Sequence, residues 1–316
     1  MILITGGLGF IGLHTAKRFL DAGEKVVLTH YRVRREPDFI KAEIGKSVFI
    51  EPLDVTSAHD AIDLARKHKV TGIVHLAVPG LNALSAAEDY RVNVTGWLNI
   101  LEAGRLCDAR RISLASSIAV YAGLPAGPFR EDMLLPVNSG NATETFKKAL
   151  EILGVHYASR TGMEVVSLRI GSPFGPLYHS LAAPSSRICH AAAKGVPVDF
   201  KGARGGAPHE EDEVGCFYVK DCATAIQLLQ MANQLSHRVY NIGNDAPLNY
   251  REFAELVKKI VPGTEINLQA GQGPRNRPNA YMNNTRIREE VGYRPEYNPE
   301  RAIAEYIDWL RKYPER

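Results

Sequence analysis

Cysteine is scarce in this 316-residue chain. Its four cysteines, Cys107, Cys189, Cys216 and Cys222, are scattered and form no C-x-x-C pair. That spacing argues against structural zinc, or any other metal, and fits a reduced compartment. Long apolar runs are missing too: none approaches the ~20 residues that span a bilayer. No charged segment, apolar stretch and cleavage site precede MILITGG, so secretion is not expected and a cytoplasmic location is. The N-x-T sequons at Asn93, Asn141 and Asn283 then carry no glycosylation signal. Charge of one sign is also lacking. A net +3, with no patch of interleaved basic and aromatic residues, excludes the usual nucleic-acid binders. There is no repeat and no low-complexity tract. What remains, 45% hydrophobic and 23% charged residues, is ordinary globular composition, enough for one large α/β domain or a domain with an appended lobe.

Short β-branched runs alternate with amphipathic ones. Ile2 to Thr5, Lys25 to Thr29, Val48 to Leu53, Gly72 to Val78, Arg111 to Leu114 and Glu164 to Arg169 read as strands. Phe10 to Ala22, Ala58 to His68, Glu88 to Leu106 and the segment from Asn141 read as helices between them. Such alternation implies βαβ units and a doubly wound parallel sheet. After Gly171 the pattern loosens at Pro173, Pro176, Pro184 and Pro197. Strands at Phe217 to Val219 and Val239 to Ile242, and helices at Asp221 to Ala232, Tyr250 to Ile260 and Glu300 to Lys312, follow. The expected division is a dinucleotide-binding domain over 1–171 and a mainly substrate-binding lobe over 172–316. Residues 214–246 are expected to return to the main sheet.

TGGLGFIG, Thr5 to Gly12, joins the first strand to the first helix, with Gly6, Gly9 and Gly12 spaced G-x-x-G-x-x-G. A dinucleotide needs a tight turn, a backbone that can approach its pyrophosphate, and a helix N-terminus aimed at the phosphates. Glycine turns also serve structure alone, but this one opens the first βα unit, the context that supports nucleotide binding. TGGLGFIG, with Phe10 and Ile11 at its end, resembles the fingerprint of the extended short-chain dehydrogenases/reductases, the NAD(P)-dependent sugar-nucleotide epimerase/dehydratase family. HLA (His75, Leu76, Ala77), NVTGWLNILEA (from Asn93), SSIAVY (Ser116 to Tyr121), LRIGSPFGP (Leu168 to Pro176), VKDCA (Val219 to Ala223) and VYNIG (Val239 to Gly243) resemble further segments of that family in the same order. The resemblance spans nearly the whole chain.

It implies a catalytic hydroxyl at Ser117 and a lysine at Lys147, with Glu151 completing K-x-x-x-E. In the family a tyrosine stands four residues before the lysine, which holds the cofactor ribose and lowers the tyrosine's pKa. Here that position is Thr143, in NATETFKKALE. An alkyl hydroxyl is far too weak an acid to serve as a phenolate. Thr143 is therefore either a substituted proton carrier or merely a residue near a helix start, beside an Asn141 cap. Read locally, Glu144–Lys148 and Lys147–Glu151 are i,i+4 pairs of a solvated helix face. Phe146, Leu150, Leu153 and Tyr157 form its apolar stripe. Tyr121, His179, His190, His209 and Glu210 to Glu213 are other conceivable proton carriers, and spacing does not choose among them.

The end of the second strand, where NAD enzymes place a ribose-binding acid, holds His30, followed by Arg32, Arg34 and Arg35. Carboxylate absent and guanidinium present favours NADP over NAD; a solvated basic loop is the alternative. Asp54 and Val55 match the family's adenine-contacting pair. Arg275 and Arg277 lie near where the family places an arginine on the substrate diphosphate. Ser172, standing where the family has asparagine, and a short 177–200 segment depart from the standard pattern. The expected activity is redox chemistry at a carbinol or keto carbon of a sugar or nucleotide sugar. An NADPH-dependent ketone or aldehyde reductase and a non-catalytic dinucleotide-binding protein are the alternatives. The resemblance also implies a homodimer through the helices at 88–106 and 141–161, with Leu98, Leu101, Phe146, Leu150 and Leu153 able to pack either there or on the sheet.

Overall fold

The computed structural model describes residues 1–31, 34, 36, 38–80, 83–244, 246–274 and 276–314. Seven parallel strands make the main sheet: β1 (Ile2–Thr5), β2 (Val26–His30), β3 (Val48–Pro52), β4 (Gly72–His75), β5 (Arg111–Ser117), β6 (Glu164–Ile170) and β9 (Val239–Ile242), in the order β3-β2-β1-β4-β5-β6-β9. This is the doubly wound arrangement that the alternation implies. β7 (Ser172–Phe174) and β8 (Cys216–Tyr218) form a separate parallel pair. Within 214–246, only β9 joins the main sheet.

Residues along each strand alternate between two cores, as the period of two requires. Ile2, Ile4, Val26 and Leu28 pack against α1 (Phe10–Asp21) and α8 (Val219–Met231). Leu3, Val27 and Ile73 pack against α3 (Ala58–Lys67), α5 (Gly96–Leu106) and α6 (Ala142–Thr161). A third cluster joins α7 (Pro184–Lys194), α9 (Tyr250–Ile260) and α11 (Pro299–Lys312) around Phe174 and Tyr218. The free edge of β9 is covered rather than open: Asn241 N donates to Glu131 Oε1 (2.9 Å) and Arg286 Nη1 donates to Val239 O (2.9 Å). Such side-chain cover keeps an edge strand from pairing with another chain.

Three features depart from the sequence reading. The span 88–106 is not one helix: α4 (Ala86–Tyr90) runs into a π-helical turn, Arg91–Thr95, before α5. A π turn inserts a residue and rotates the following face, and such turns cluster at functional sites. This one buries Asn93, whose Nδ2 donates to Asp89 O (2.9 Å). Pro184 begins α7 rather than breaking the chain, and Gly195 closes that helix in the left-handed conformation at φ +66°. The short helices α2 (Asp38–Lys41) and α10 (Thr285–Val291) likewise have no counterpart in the sequence reading. No helix among the described residues is long and apolar enough to cross a membrane.

Candidate active site

β1 and β4 lie side by side at the centre of the sheet, where the strand order reverses, the point at which open α/β sheets bind ligands beyond the carboxyl ends of their strands. Gly6 takes φ +63°, and a Cβ on it would sit 3.0 Å from the Ala77 backbone. Gly12 faces the same turn from inside α1, where a Cβ would come 2.6 Å from the Gly6 carbonyl. Gly9 is the N-cap and offers no side chain to the first helical turn. The N–H groups of Phe10, Ile11 and Gly12 therefore have no acceptor within the helix and aim at whatever occupies the turn. With the positive end of the helix dipole, they suit an anion such as pyrophosphate.

The neighbouring strand ends wall this cradle. His30 ends β2, and its Nδ1 is buried with no hydrogen-bond partner among the described residues. Asp54 accepts from Thr56 N (2.9 Å) and Thr56 Oγ1 (2.7 Å), which fixes the turn after β3. Val55 is held from α5, where Asn99 Nδ2 donates to its carbonyl (2.9 Å) and Gly96 leaves room for its side chain. Leu76 N donates to Thr5 O (3.1 Å) and Ala77 N to Thr5 Oγ1 (3.3 Å), so the chain after β4 stays against the glycine turn. Arg34 is paired with Glu36 (2.6 Å). Arg32, Arg35 and Arg275 lie outside the described residues.

The residues expected at the reacting end, Ser117, Thr143 and Lys147, come from β5 and α6. Ser117 closes β5, and its Oγ accepts from Ala119 N (3.1 Å), leaving the hydroxyl proton free to donate. Asn141 caps α6 through Glu144 N (3.0 Å), while the Glu144 carboxylate reaches back to Gly140 N (3.0 Å). Thr143 is thus inside the helix, not its cap. Lys147 is buried, at 8% exposure, yet its ammonium makes no hydrogen bond or salt bridge to a described residue. Burial lowers its pKa to about 8, against a smaller upward pull from Glu151. The i,i+4 reading is corrected here. Glu151 does not pair with Lys147; it turns inward to a fork with Arg169 (Nη2–Oε2 2.8 Å) and accepts from Ser116. Nor is Lys148 solvated: its Nζ donates to Pro136 O (2.6 Å), Asn138 O (3.0 Å) and Glu144 Oε1 (2.8 Å), clamping the loop ahead of α6.

Most of the alternative proton carriers are committed elsewhere. Tyr121 is fully buried, donates to Asn241 Oδ1 (2.7 Å), accepts from Arg169 Nη1 (2.9 Å), and is pushed up to about 12 by burial. Tyr157 donates to Glu102. His190 contacts Tyr306 (3.2 Å) beside the third cluster, and the His179 ring lies tilted against Trp309, 5.4 Å between centres. His209 leans on Asp212 (3.6 Å). Arg277 packs beside the turn after β5: its Nη1 donates to Tyr121 O (3.1 Å) and its guanidinium lies 5.0 Å from the Phe129 ring centre. Glu213 faces it, raised by burial while backbone N–H groups of Asn279 and Ala280 and the charge of Arg277 pull the other way.

Residues 2–243 match the NAD dependent epimerase/dehydratase family. The chain belongs to that family. Among its relatives, Protein CapI of Staphylococcus aureus is 24% identical, with 99% of this chain and 98% of the relative aligned. A dTDP-glucose 4,6-dehydratase of Streptomyces niveus is 26% identical over 98% of this chain and 92% of its own. The fold is shared with the UDP-glucose 4-epimerase of Thermus thermophilus in complex with NAD: TM-score 0.79, 24% identity, 99% of each chain covered.

The cradle fits the family's dinucleotide. A side chain at Gly6 or Gly12 would collide with the backbone that shapes it, and the first-turn N–H groups of α1 supply donors with no other partner. Gly96 and Asn99 lie in NVTGWLNILEA, Arg169 in LRIGSPFGP and Glu151 in K-x-x-x-E, but those segments do not say what each side chain does. Their supporting contacts follow from burial, and burial is not written in spacing.

Two histidines make the site acid-sensitive. His75 bonds Thr5 Oγ1 (2.7 Å), and burial, then the Lys147 charge, lower it to about 3. His14 bonds Pro176 O (2.9 Å), and burial lowers it to about 4. A group that stays neutral when folded but is protonated when unfolded stabilises the fold fully above its unfolded pKa, near 6.5. That stability is lost as the pH falls from there toward the folded values. Each histidine should cost at most about 3 kcal/mol between pH 7 and pH 4. Urea midpoints should fall over that range, less steeply in His75→Gln; equal slopes in the two proteins would refute the assignment.

Proposed function

We propose that this protein is an NAD-dependent enzyme of sugar-nucleotide metabolism, of the epimerase or dehydratase type, acting at a carbinol or keto carbon of the sugar. The observation that carries the reading is the gathering, at the carboxyl ends of β1, β4 and β5, of the glycine cradle, the free hydroxyl of Ser117 and the unpaired ammonium of Lys147. The names of the family's members support the substrate class: a dTDP-glucose dehydratase and a UDP-glucose epimerase. Residues 1–171 would bind the dinucleotide and 172–316 would supply most of the substrate contacts.

When bound, the nicotinamide supplies the hydride chemistry. The chain does the rest. Gly6, Gly9, Phe10, Ile11 and Gly12 hold the pyrophosphate through backbone N–H groups. His30 offers its unpartnered Nδ1 to the adenosine ribose, and Asp54, Val55, Leu76, Ala77 and Asn93 line the way to the nicotinamide end. Lys147 meets the nicotinamide ribose. Ser117 donates to the reacting oxygen, and Arg277, held by Tyr121 O and Phe129, presents the rest of its fork to an anionic substrate. With Arg34 neutralised by Glu36, the case for NADP weakens and NAD is the cofactor proposed.

The test is to denature freshly purified protein and identify the nucleotide released. Stoichiometric NAD is the expected result, since an enzyme that regenerates its cofactor within each turnover has no need to release it. Protein that arrives empty and then binds NADPH far more tightly than NADH would overturn this in favour of an exchanging reductase.

The assembly proposed is a homodimer through α5 and α6, and the location cytoplasmic, in keeping with four free cysteines. Leu101, Phe146 and Leu150 pack inward, but Leu98 (50%), Ile152 (70%), Leu153 (41%) and Val155 (53%) stand exposed on the outer faces. Light scattering should give twice the chain mass, and Ile152→Glu with Val155→Glu should give a monomer. A wild-type monomer at micromolar concentration would end this assignment.

A further inference from the structure

The missing phenol leaves a proton to be moved, and the described residues narrow the choice. Tyr121 and Tyr157 spend their hydroxyls on Asn241 and Glu102. His75 is fixed to Thr5, and Glu213 is held between two backbone N–H groups and Arg277. Two groups on α6 remain uncommitted. The Thr143 hydroxyl makes no hydrogen bond among the described residues, whereas Thr145, two positions on, donates to Asn141 O (3.0 Å). Lys147 follows Thr143 by four residues, so the two side chains share one helix face. Its natural partner Glu151 is taken by Arg169 and Ser116. The charges that act on the amine are few: His75, at the end of β4, is neutral, and Glu151, one turn on, pulls it toward the cation less than burial pushes it the other way, its carboxylate being shared with Arg169 of β6 and Ser116 of β5.

We propose that Lys147 is the acid–base group of this site and that the Thr143 hydroxyl, one turn before it, passes the proton between lysine and substrate. The inference rests on the oxidoreductase reading above. In the oxidising direction the substrate carbinol O–H gives its proton to Thr143 Oγ1 as the threonine's own proton moves to the neutral lysine amine. The carbinol C–H bond breaks, its electron pair leaves as hydride to oxidised NAD, and a C=O bond forms. Lys147 ends as an ammonium, and the reverse sequence reduces a ketone. Burial makes this workable, because an amine lowered to about 8 holds both forms near neutral pH, where an ordinary lysine does not. Oxidation needs the amine and rises with pH through about 8. Reduction needs the ammonium and falls over the same range.

Two kinds of measurement test the proposal. Nuclear magnetic resonance of the holoenzyme carrying isotope-labelled lysine, with Lys147 assigned by its loss in Lys147→Arg, should show that side chain titrating near pH 8. Titration at the ordinary lysine value, 10.5, overturns the proposal. Reduction of bound NAD on mixing with UDP-glucose or dTDP-glucose should follow the same limb. Thr143→Val should slow it by about 100-fold, the usual worth of a positioned proton carrier, while leaving the Lys147 titration in place. Thr143→Ser should keep most of the rate. A valine variant as fast as wild type, or a limb unmoved in Lys147→Arg, also overturns it. Protein that neither carries nor takes up a dinucleotide defeats the reading of the function, and the proton route falls with it; a loaded enzyme whose Lys147 titrates at the ordinary value defeats the proton route alone.

Discussion

Glu151→Leu should lower the unfolding free energy by about 3–5 kcal/mol, the usual cost of stripping one partner from a buried ion pair. The side chains of Arg169 and Glu151 are only 5% and 8% exposed. Their contact is a two-point fork, Nε to Oε1 at 3.1 Å and Nη2 to Oε2 at 2.8 Å. Arg169 also donates to Tyr121 Oη (2.9 Å) and lies over the tyrosine ring, 4.9 Å from its centre. Burial pulls the guanidinium's pKa down, and Glu151 with the Tyr121 hydroxyl more than offsets it; an arginine's ordinary pKa is so high that the group stays charged even when Glu151 goes. Leucine would leave that charge buried and Ser116 without its acceptor. Arg169→Met combined with Glu151→Leu should cost less than either change alone, since no charge then remains unpaired. Urea unfolding of the four proteins measures the cycle. A single-variant loss below about 1 kcal/mol would mean that water reaches the pair and that it is not the anchor described here.

The same pair shows where reading the sequence stops. Lys147–Glu151 and Glu144–Lys148 have identical i,i+4 spacing, and spacing is all that a sequence offers. In the fold one pair forms, in a buried clamp on the loop before α6, and the other does not, because the Arg169 guanidinium competes for Glu151 across 18 residues of chain. Local patterns are legible when one strong local term decides them. The parallel sheet is legible because its strands are continuous β-branched runs, and the glycine turn because nothing but glycine fits it. Asn141 is legible as a cap, since its side chain needs only the N–H three residues on. Pro184 misleads because proline both ends and begins helices, and only the glycine at position 195 tells the two apart. The π turn at Arg91–Thr95, which buries Asn93, has no sign in the local spacing. The roles of Tyr121 and Glu213 are undecidable from spacing for the same reason: their partners, Asn241, Arg277 and the backbone at 279–280, are far away in sequence.

Gly12→Val should weaken NAD binding by at least about 100-fold, the scale at which losing several charge-assisted hydrogen bonds together is felt. The cause is space, not backbone strain, since Gly12 is an ordinary helical residue within α1. Even a single Cβ would stand 2.6 Å from Gly6 O and 2.8 Å from Gly7 C, and these neighbours are backbone atoms that cannot swing aside. Valine adds two methyl groups to that clash. The Gly6–Gly9 turn, closed by the Gly9 N to Gly6 O bond of 2.9 Å, must open or shift, and on its other side the Ala77 backbone stands only 3.0 Å from where a Cβ on Gly6 would lie. The turn can move only away from β4, and the first-turn N–H groups then lose their common aim at the phosphates. Gly23, beyond the far end of α1, has no atom within 4 Å of its notional Cβ and takes φ +81°. Gly23→Asn, suited to that conformation, should therefore bind NAD as wild type does. Calorimetric titration of protein freed of nucleotide gives the affinities, and circular dichroism verifies that each variant is folded. A folded Gly12→Val protein binding within about threefold of wild type would put the dinucleotide somewhere other than this turn; a loss confined to that variant ties it to the α1 N-terminus.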